Sequence, residues 1–164
     1  MNKVTINVYQ FHELDDAAKD KAIYNYSDIN LWGGWWEGTY EDAKSIGLKL
    51  TSFGLDRSRQ ADGEFIDDAD YCANKIISEH GKHCPTYKTA ANYLDERSQL
   101  DIDEQEDELS DLDEQFLKDI CEDYSIMLQN EYEYLYSDEA IIEGIVANEY
   151  EFDEFGNKNR YTTN

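Results

Sequence analysis

SDLDEQFLKDICEDYSIMLQNEYEYLY, residues 110–136, decides how the rest of the chain is read. Leu112, Phe116, Ile120, Met127, Leu128 and Leu135 follow one another at four, four, seven, one and seven residues, which places them on one face of a long helix. Ser110 and Asp113 resemble the reciprocal cap that opens a helix, with Asp where Glu or Gln is usual. Such a helix must bury its apolar face against other elements. The flanking sequence has to supply them.

Upstream, VTINVYQF (4–11) alternates β-branched and polar residues and reads as a strand, and LKLTSFGLDR (48–57) as a second one. Between them, ELDDAAKDKAIYNY (13–26) sets Leu14, Ala17, Ala18, Ala22 and Ile23 at helical spacing. A short helix through Ala43 and Ile46 stops at Gly47. GEFIDDADYCANKIISEHG (63–81) gives a short strand and then a helix. PTYKTAANYLDERS (85–98) is a further helix, with Pro85 in the first turn where its missing N–H costs nothing. Downstream, SDEAIIEGIVANE (137–149) restarts helix behind a Ser/Asp cap. YEFDEF (150–155) alternates, Gly156-Asn157 reads as a tight turn, and KNRY (158–161) returns as a strand. The expected class is α+β, a small antiparallel sheet packed with four to five helices. Residues 1–98 form the expected α+β core, with the acidic helical segment 99–164 packed on it as one domain.

The 164 residues are 40% apolar and 13% aromatic, enough for a real core. MNKVTINVYQ carries no charged region followed by an apolar run, and three cysteines at no framework spacing fit a reducing cytosol. The expectation is a soluble cytoplasmic protein. The net charge is −24, and residues 99–164 hold twenty-one Asp/Glu against three Lys/Arg. Such a surface repels nucleic acid and anionic membranes and attracts basic protein surfaces.

The charge peaks in DIDEQEDELSDLDEQ (101–115), with nine carboxylates and no Lys or Arg. Crowded like charges cost folding free energy, so the stretch asks for a benefit elsewhere. From Asp95 to Glu114 there are eleven acids and one Arg in twenty residues, so as helix that span would carry roughly one net charge per 3 Å, close to the ~3.4 Å spacing of phosphates along one DNA strand. The residues expected to form this phosphate-like row are Asp101, Asp103, Glu104, Glu106, Asp107, Glu108, Asp111, Asp113 and Glu114. Asp119, Glu122, Asp123, Glu131 and Glu133 continue it. Tyr132, Tyr134 and Tyr136, interleaved with acids, and Trp35 beside Gly33-Gly34 are the expected aromatic contacts, since both residue types suit binding hot spots. A charge run is also the ordinary pattern of a solvated face. Asp101, Asp103, Gln105 and Asp107 imitate the start of a calcium loop, but Glu106 stands where glycine is needed and Leu112 where a bidentate Glu is needed.

FHELDDAAKDKA (11–22), WWEGTYEDAKSIGLKLTSFGLDR (35–57), GEFIDDADYCANKIISEHGKHCPTYKTAANYL (63–94) and SDEAIIEGIVANEYEFDEFGNKNRY (137–161) together resemble a largely uncharacterised family of small acidic bacteriophage and prophage proteins. The resemblance implies a setting inside a bacterial host, where small acidic proteins disarm host nucleases in the manner of anti-CRISPR or antirestriction inhibitors. It carries over no catalytic residue.

Other chemistry is thin. Cys72, His80, His83 and Cys84 do not follow the paired spacing of a zinc site. Cys84 precedes a helix N-terminus but has no base or oxyanion site visible beside it. No nucleotide, hydrolase or metalloprotease motif is present. No catalytic residue, metal or cofactor is expected. The leading expectation is a nucleic-acid mimic that blocks the Lys/Arg-lined channel of a host Cas nuclease or restriction enzyme. The alternative is a non-catalytic interaction module that binds through its Trp/Tyr-rich surface, with acidity serving solubility.

Overall fold

The computed structural model describes residue 3 and residues 5–159. In chain order these form β1 (Tyr9–Gln10), α1 (Asp16–Asn25), α2 (Glu37–Ser45), β2 (Leu48–Gly54), β3 (Gln60–Phe65), α3 (Ala69–Glu79), α4 (Pro85–Ser98), α5 (Glu106–Leu135), α6 (Asp138–Ala147) and β4 (Glu151–Phe152). The class is the expected α+β. The described residues hold six α-helices instead of four or five, and two separate two-stranded antiparallel sheets instead of one. None of these helices is long and apolar enough to cross a membrane.

The chain divides into two compact units: Trp36–Asn130, and Met1–Trp35 with Glu131–Asn164. A boundary at 98/99 is therefore not where the division falls. Charge changes there, but packing follows apolar faces, and most of α5 shares a core with residues 43–93.

In the unit of residues 36–130, α2 ends at Ser45, and Gly47, with a φ of 85°, turns the chain into β2. β2 and β3 pair antiparallel from Leu48↔Phe65 to Gly54↔Gln60, with an irregularity between Leu50 and Ser52. Their connection is a tight 3₁₀ turn, Asp56–Ser58. Asp56 has a left-handed φ of 58°, and Gln129 of α5 holds it. The Gln129 Oε1 accepts from the Asp56 N–H (2.7 Å), and its Nε2 donates to the Asp56 carboxylate (3.0 Å). The buried face of α5 carries Phe116, Ile120, Cys121, Tyr124, Ser125, Leu128 and Gln129. Phe116 lies between Phe65 and Tyr93, stacked at centroid distances of 5.6 and 4.3 Å.

α5 begins at Glu106, not at Ser110, and runs thirty residues without a break. Its first turn holds Glu106, Asp107 and Glu108, which the positive end of the helix dipole favours. The chain is turned into it by Asp101, whose carboxylate accepts from the Asp103 and Glu104 N–H groups, while Gln105 Oε1 accepts from the Asp101 N–H. Ser110 and Asp113 therefore sit inside the helix.

In the other unit, β1 and β4 pair as Tyr9↔Phe152 and Gln10↔Glu151. The strand expected over 4–11 shrinks to these two residues, because β4 offers only two partners and Phe11 already starts a 3₁₀ turn. Val4 lies outside the described residues. α1 is capped by Asp15 and α6 by Ser137, each accepting an N–H three residues on. Phe11, Leu14, Ala18, Ala22, Tyr26, Ile141, Ile145 and Phe152 form the core. The expected return strand is represented by one bridge, Phe152↔Lys158; Arg160 and Tyr161 lie outside the described residues.

The tight turn at Gly156 holds as read, and the reason for glycine is specific. Its φ is 84°, and a Cβ there would sit 2.1 Å from the carbonyl oxygen of Ala18 in α1. Gly156→Ala is expected to cost about 2–4 kcal/mol, roughly 1 from the left-handed backbone and 1–3 from the clash. Urea unfolding measures it; a loss under about 0.5 kcal/mol would mean that the turn and α1 do not meet in this way.

Candidate acidic interface

The carboxylates expected to form one row have different fates. Asp101 is committed to the turn before α5. Asp113 accepts a short hydrogen bond from the buried Tyr93 hydroxyl, and burial together with that bond pushes the Tyr93 pKa up. Asp119 accepts from Gln115 one helical turn away (2.9 Å). Glu122 is paired with the Arg59 guanidinium at 2.8 Å, and Arg59 also donates to Ser125. Asp123 accepts from the Thr89 hydroxyl at 2.5 Å. These five carboxylates are partly satisfied within the protein, so they are weaker mimic groups than the sequence suggested.

The remainder is a coherent patch. Asp103, Glu104, Glu106, Asp107, Glu108, Asp111 and Glu114 are all exposed, in the turn at 102–104 and on the first turns of α5. Their carboxylates accept no hydrogen bond and form no ion pair among the described residues. The five on α5 sit on a backbone fixed by helix hydrogen bonds, and Asp103 and Glu104 sit on a turn whose N–H groups the Asp101 carboxylate holds, so the patch is an ordered edge.

Further along, α4 and α5 enclose a groove of about 290 Å³ with Glu96, Asp119, Glu122 and Asp123 along it. Burial raises the Asp123 pKa, and the neighbouring Asp119 and Glu122 carboxylates add to this against the Thr89 hydrogen bond, which lowers it. A carboxyl raised in the folded state binds its proton more tightly than in the unfolded chain. Its stabilising contribution is full below the unfolded value of 3.8 and is lost as pH rises through the raised folded pKa. Ionised Asp123 is therefore a net burden at pH 7. Asp123→Asn, which keeps an acceptor for Thr89, is expected to raise stability at pH 7 and to flatten its decline above about pH 4. The gain stays under about 1 kcal/mol because water screens a half-exposed group. Melting curves from pH 4 to 7 check this, and a variant with the wild-type slope would refute the assignment.

Glu131, Glu133, Tyr132, Tyr134, Tyr136 and Trp35 belong to the other unit. Tyr132 is half-buried, with Trp35 at 6.0 Å and Tyr136 stacked at 5.9 Å. Tyr134 is exposed and donates to Glu143 at 3.4 Å. Of the tryptophans it is Trp32, 59% exposed, that faces solvent, while Trp35 is half-buried. The sequence reading also missed Tyr24, 80% exposed on α1, which no spacing rule marks out.

The candidate metal residues serve other ends. Cys72 lies in the core with Cys121 nearby, and burial raises their thiol pKa values to about 12 and about 11. His80 Nδ1 is 2.6 Å from the buried Thr86 hydroxyl, and Nε2 lies 3.5 Å from Asp42, which accepts from Tyr124 at 2.8 Å. This is a polar clamp joining α2, the end of α3, α4 and α5. His83 and Cys84 are exposed. Among the described residues no group of three or more His, Cys, Asp and Glu is set to hold a metal ion. No family model matches the chain, and no curated protein or solved structure matches it.

Proposed function

We propose that the protein is a phage-type inhibitor that occupies the Lys/Arg-lined nucleic-acid channel of a bacterial defence protein, a Cas nuclease or a restriction enzyme. The supporting observation is the set of seven exposed carboxylates from Asp103 to Glu114, five of them on α5 between Glu106 and Glu114. That span is about 12 Å of helix, so its charge density is at least that of one DNA strand, at ~3.4 Å per phosphate. The carboxylates replace phosphates on the target's basic residues, and binding competes with nucleic acid. Electrostatic steering speeds the encounter at low ionic strength and fades as salt screens it.

The test is displacement of a labelled DNA duplex from purified nucleases of both classes, at low and at high salt. The expected result is displacement at low salt that weakens steeply as salt rises. If the protein displaces DNA from none of them at low salt, the acidic edge is a solvated surface and not a mimic. The second reading, an interaction module using an aromatic surface, draws support from the exposure of Tyr24, Trp32 and Tyr136.

A further inference from the structure

In the unit containing the two termini, a groove of about 320 Å³ is lined by Asp20, Ile23, Tyr24 and Ser27 on one side and Tyr136, Asp138 and Ile141 on the other. Its composition is unlike that of the acidic edge. Ile141 is buried and Ile23 half-buried, which makes an apolar floor. Tyr24 and Tyr136 are 80% and 48% exposed, far more than aromatic rings that serve only to pack. Asp20 and Asp138 are exposed at the rim, and neither Lys nor Arg lines the groove.

We infer that this groove receives an arginine side chain from a partner protein. A guanidinium matches all three features at once: its plane stacks on tyrosine rings, its charge and donors meet carboxylates, and its aliphatic stem covers apolar floor. An apolar side chain would strip water from Asp20 and Asp138 without compensation. A phosphate group would be repelled by them. Lysine supplies the charge but neither the planar stacking nor the forked donors. The groove is independent of the α5 carboxylates and extends recognition to a second surface.

The test uses the full chain with isotope-labelled tyrosine rings and a capped Gly-Arg-Gly peptide as probe, with citrulline and lysine analogues beside it. The Tyr24 and Tyr136 ring signals are expected to shift and saturate with the arginine peptide, and to stay in place with citrulline. Tyr24→Ala is expected to weaken the response about two- to fivefold, and Asp20→Asn combined with Asp138→Asn is expected to weaken it further; the Ser137 cap of α6 is retained in that variant. Ring signals that do not move, a citrulline peptide that works as well, or a lysine peptide of equal affinity would each overturn the assignment. A variant with its α5 carboxylates neutralised should keep the tyrosine response, so failure of the mimicry proposal leaves this result readable.

Discussion

Phe116→Ala is expected to destabilise the unit of residues 36–130 by about 3–5 kcal/mol, the range for deleting a fully enclosed aromatic ring. Phe116 is 2% exposed, and its ring is the middle of a stack running from Phe65 on β3 to Tyr93 on α4. Removing it leaves both neighbours facing a void that the helices and the hairpin cannot jointly close. The Tyr93 hydroxyl is also tied to Asp113 on α5, which limits how far Tyr93 can shift to fill the space. Hydrogen exchange of amides in β2, β3 and the first half of α5 reads the loss directly. Phe116→Leu is expected to cost less than half as much, since it keeps most of the volume. A cost below about 1 kcal/mol for the alanine variant would show that the stack is peripheral to this core.

The position of Phe116 was legible because helix periodicity records burial. The same holds for Pro85 at the start of α4, for Gly47 after α2 and for Ser137 before α6, where one local rule decides one local conformation. What the sequence hid depends on partners distant along the chain. The strand over 4–11 has the right alternation, but strand length is set by what pairs with it, and β4 supplies two residues. The start of α5 was misplaced because Ser110 has the residue type of a cap. The Asp101–Gln105 turn opens the helix instead, five to nine residues before Ser110, using side chains that also look like part of a charge run. The candidate site divides on the same principle. Which residues are acidic is plain, but Arg59 meeting Glu122, Thr89 meeting Asp123 and Tyr93 meeting Asp113 depend on how α4, α5 and the hairpin turn pack. Tyr24 escaped notice because its interest lies in being left exposed.

Those packing facts sharpen the second large effect. Neutralising Asp103, Glu104, Glu106, Asp107, Glu108 and Asp111 together, to Asn or Gln, is expected to remove the displacement of DNA from the target nuclease. Each exposed charge contact contributes roughly 0.2–1 kcal/mol. Six lost together amount to about 1–6 kcal/mol, or about fivefold to about 10⁴-fold in affinity, and most of the salt dependence should vanish with them. Asp101 is left intact because its carboxylate shapes the turn. Folding stability is expected to hold or rise, since self-repulsion is relieved, although Glu106, Asp107 and Glu108 give up a favourable interaction with the helix dipole of a few tenths of a kcal/mol each. This opposition is what makes the variant informative. A binding surface loses its partner while the fold gains, whereas a structural surface loses both. If the six-fold variant displaces DNA as well as the parent protein, the carboxylates of the first turns of α5 are not the contact, and the search for the partner surface moves to the tyrosine-lined groove.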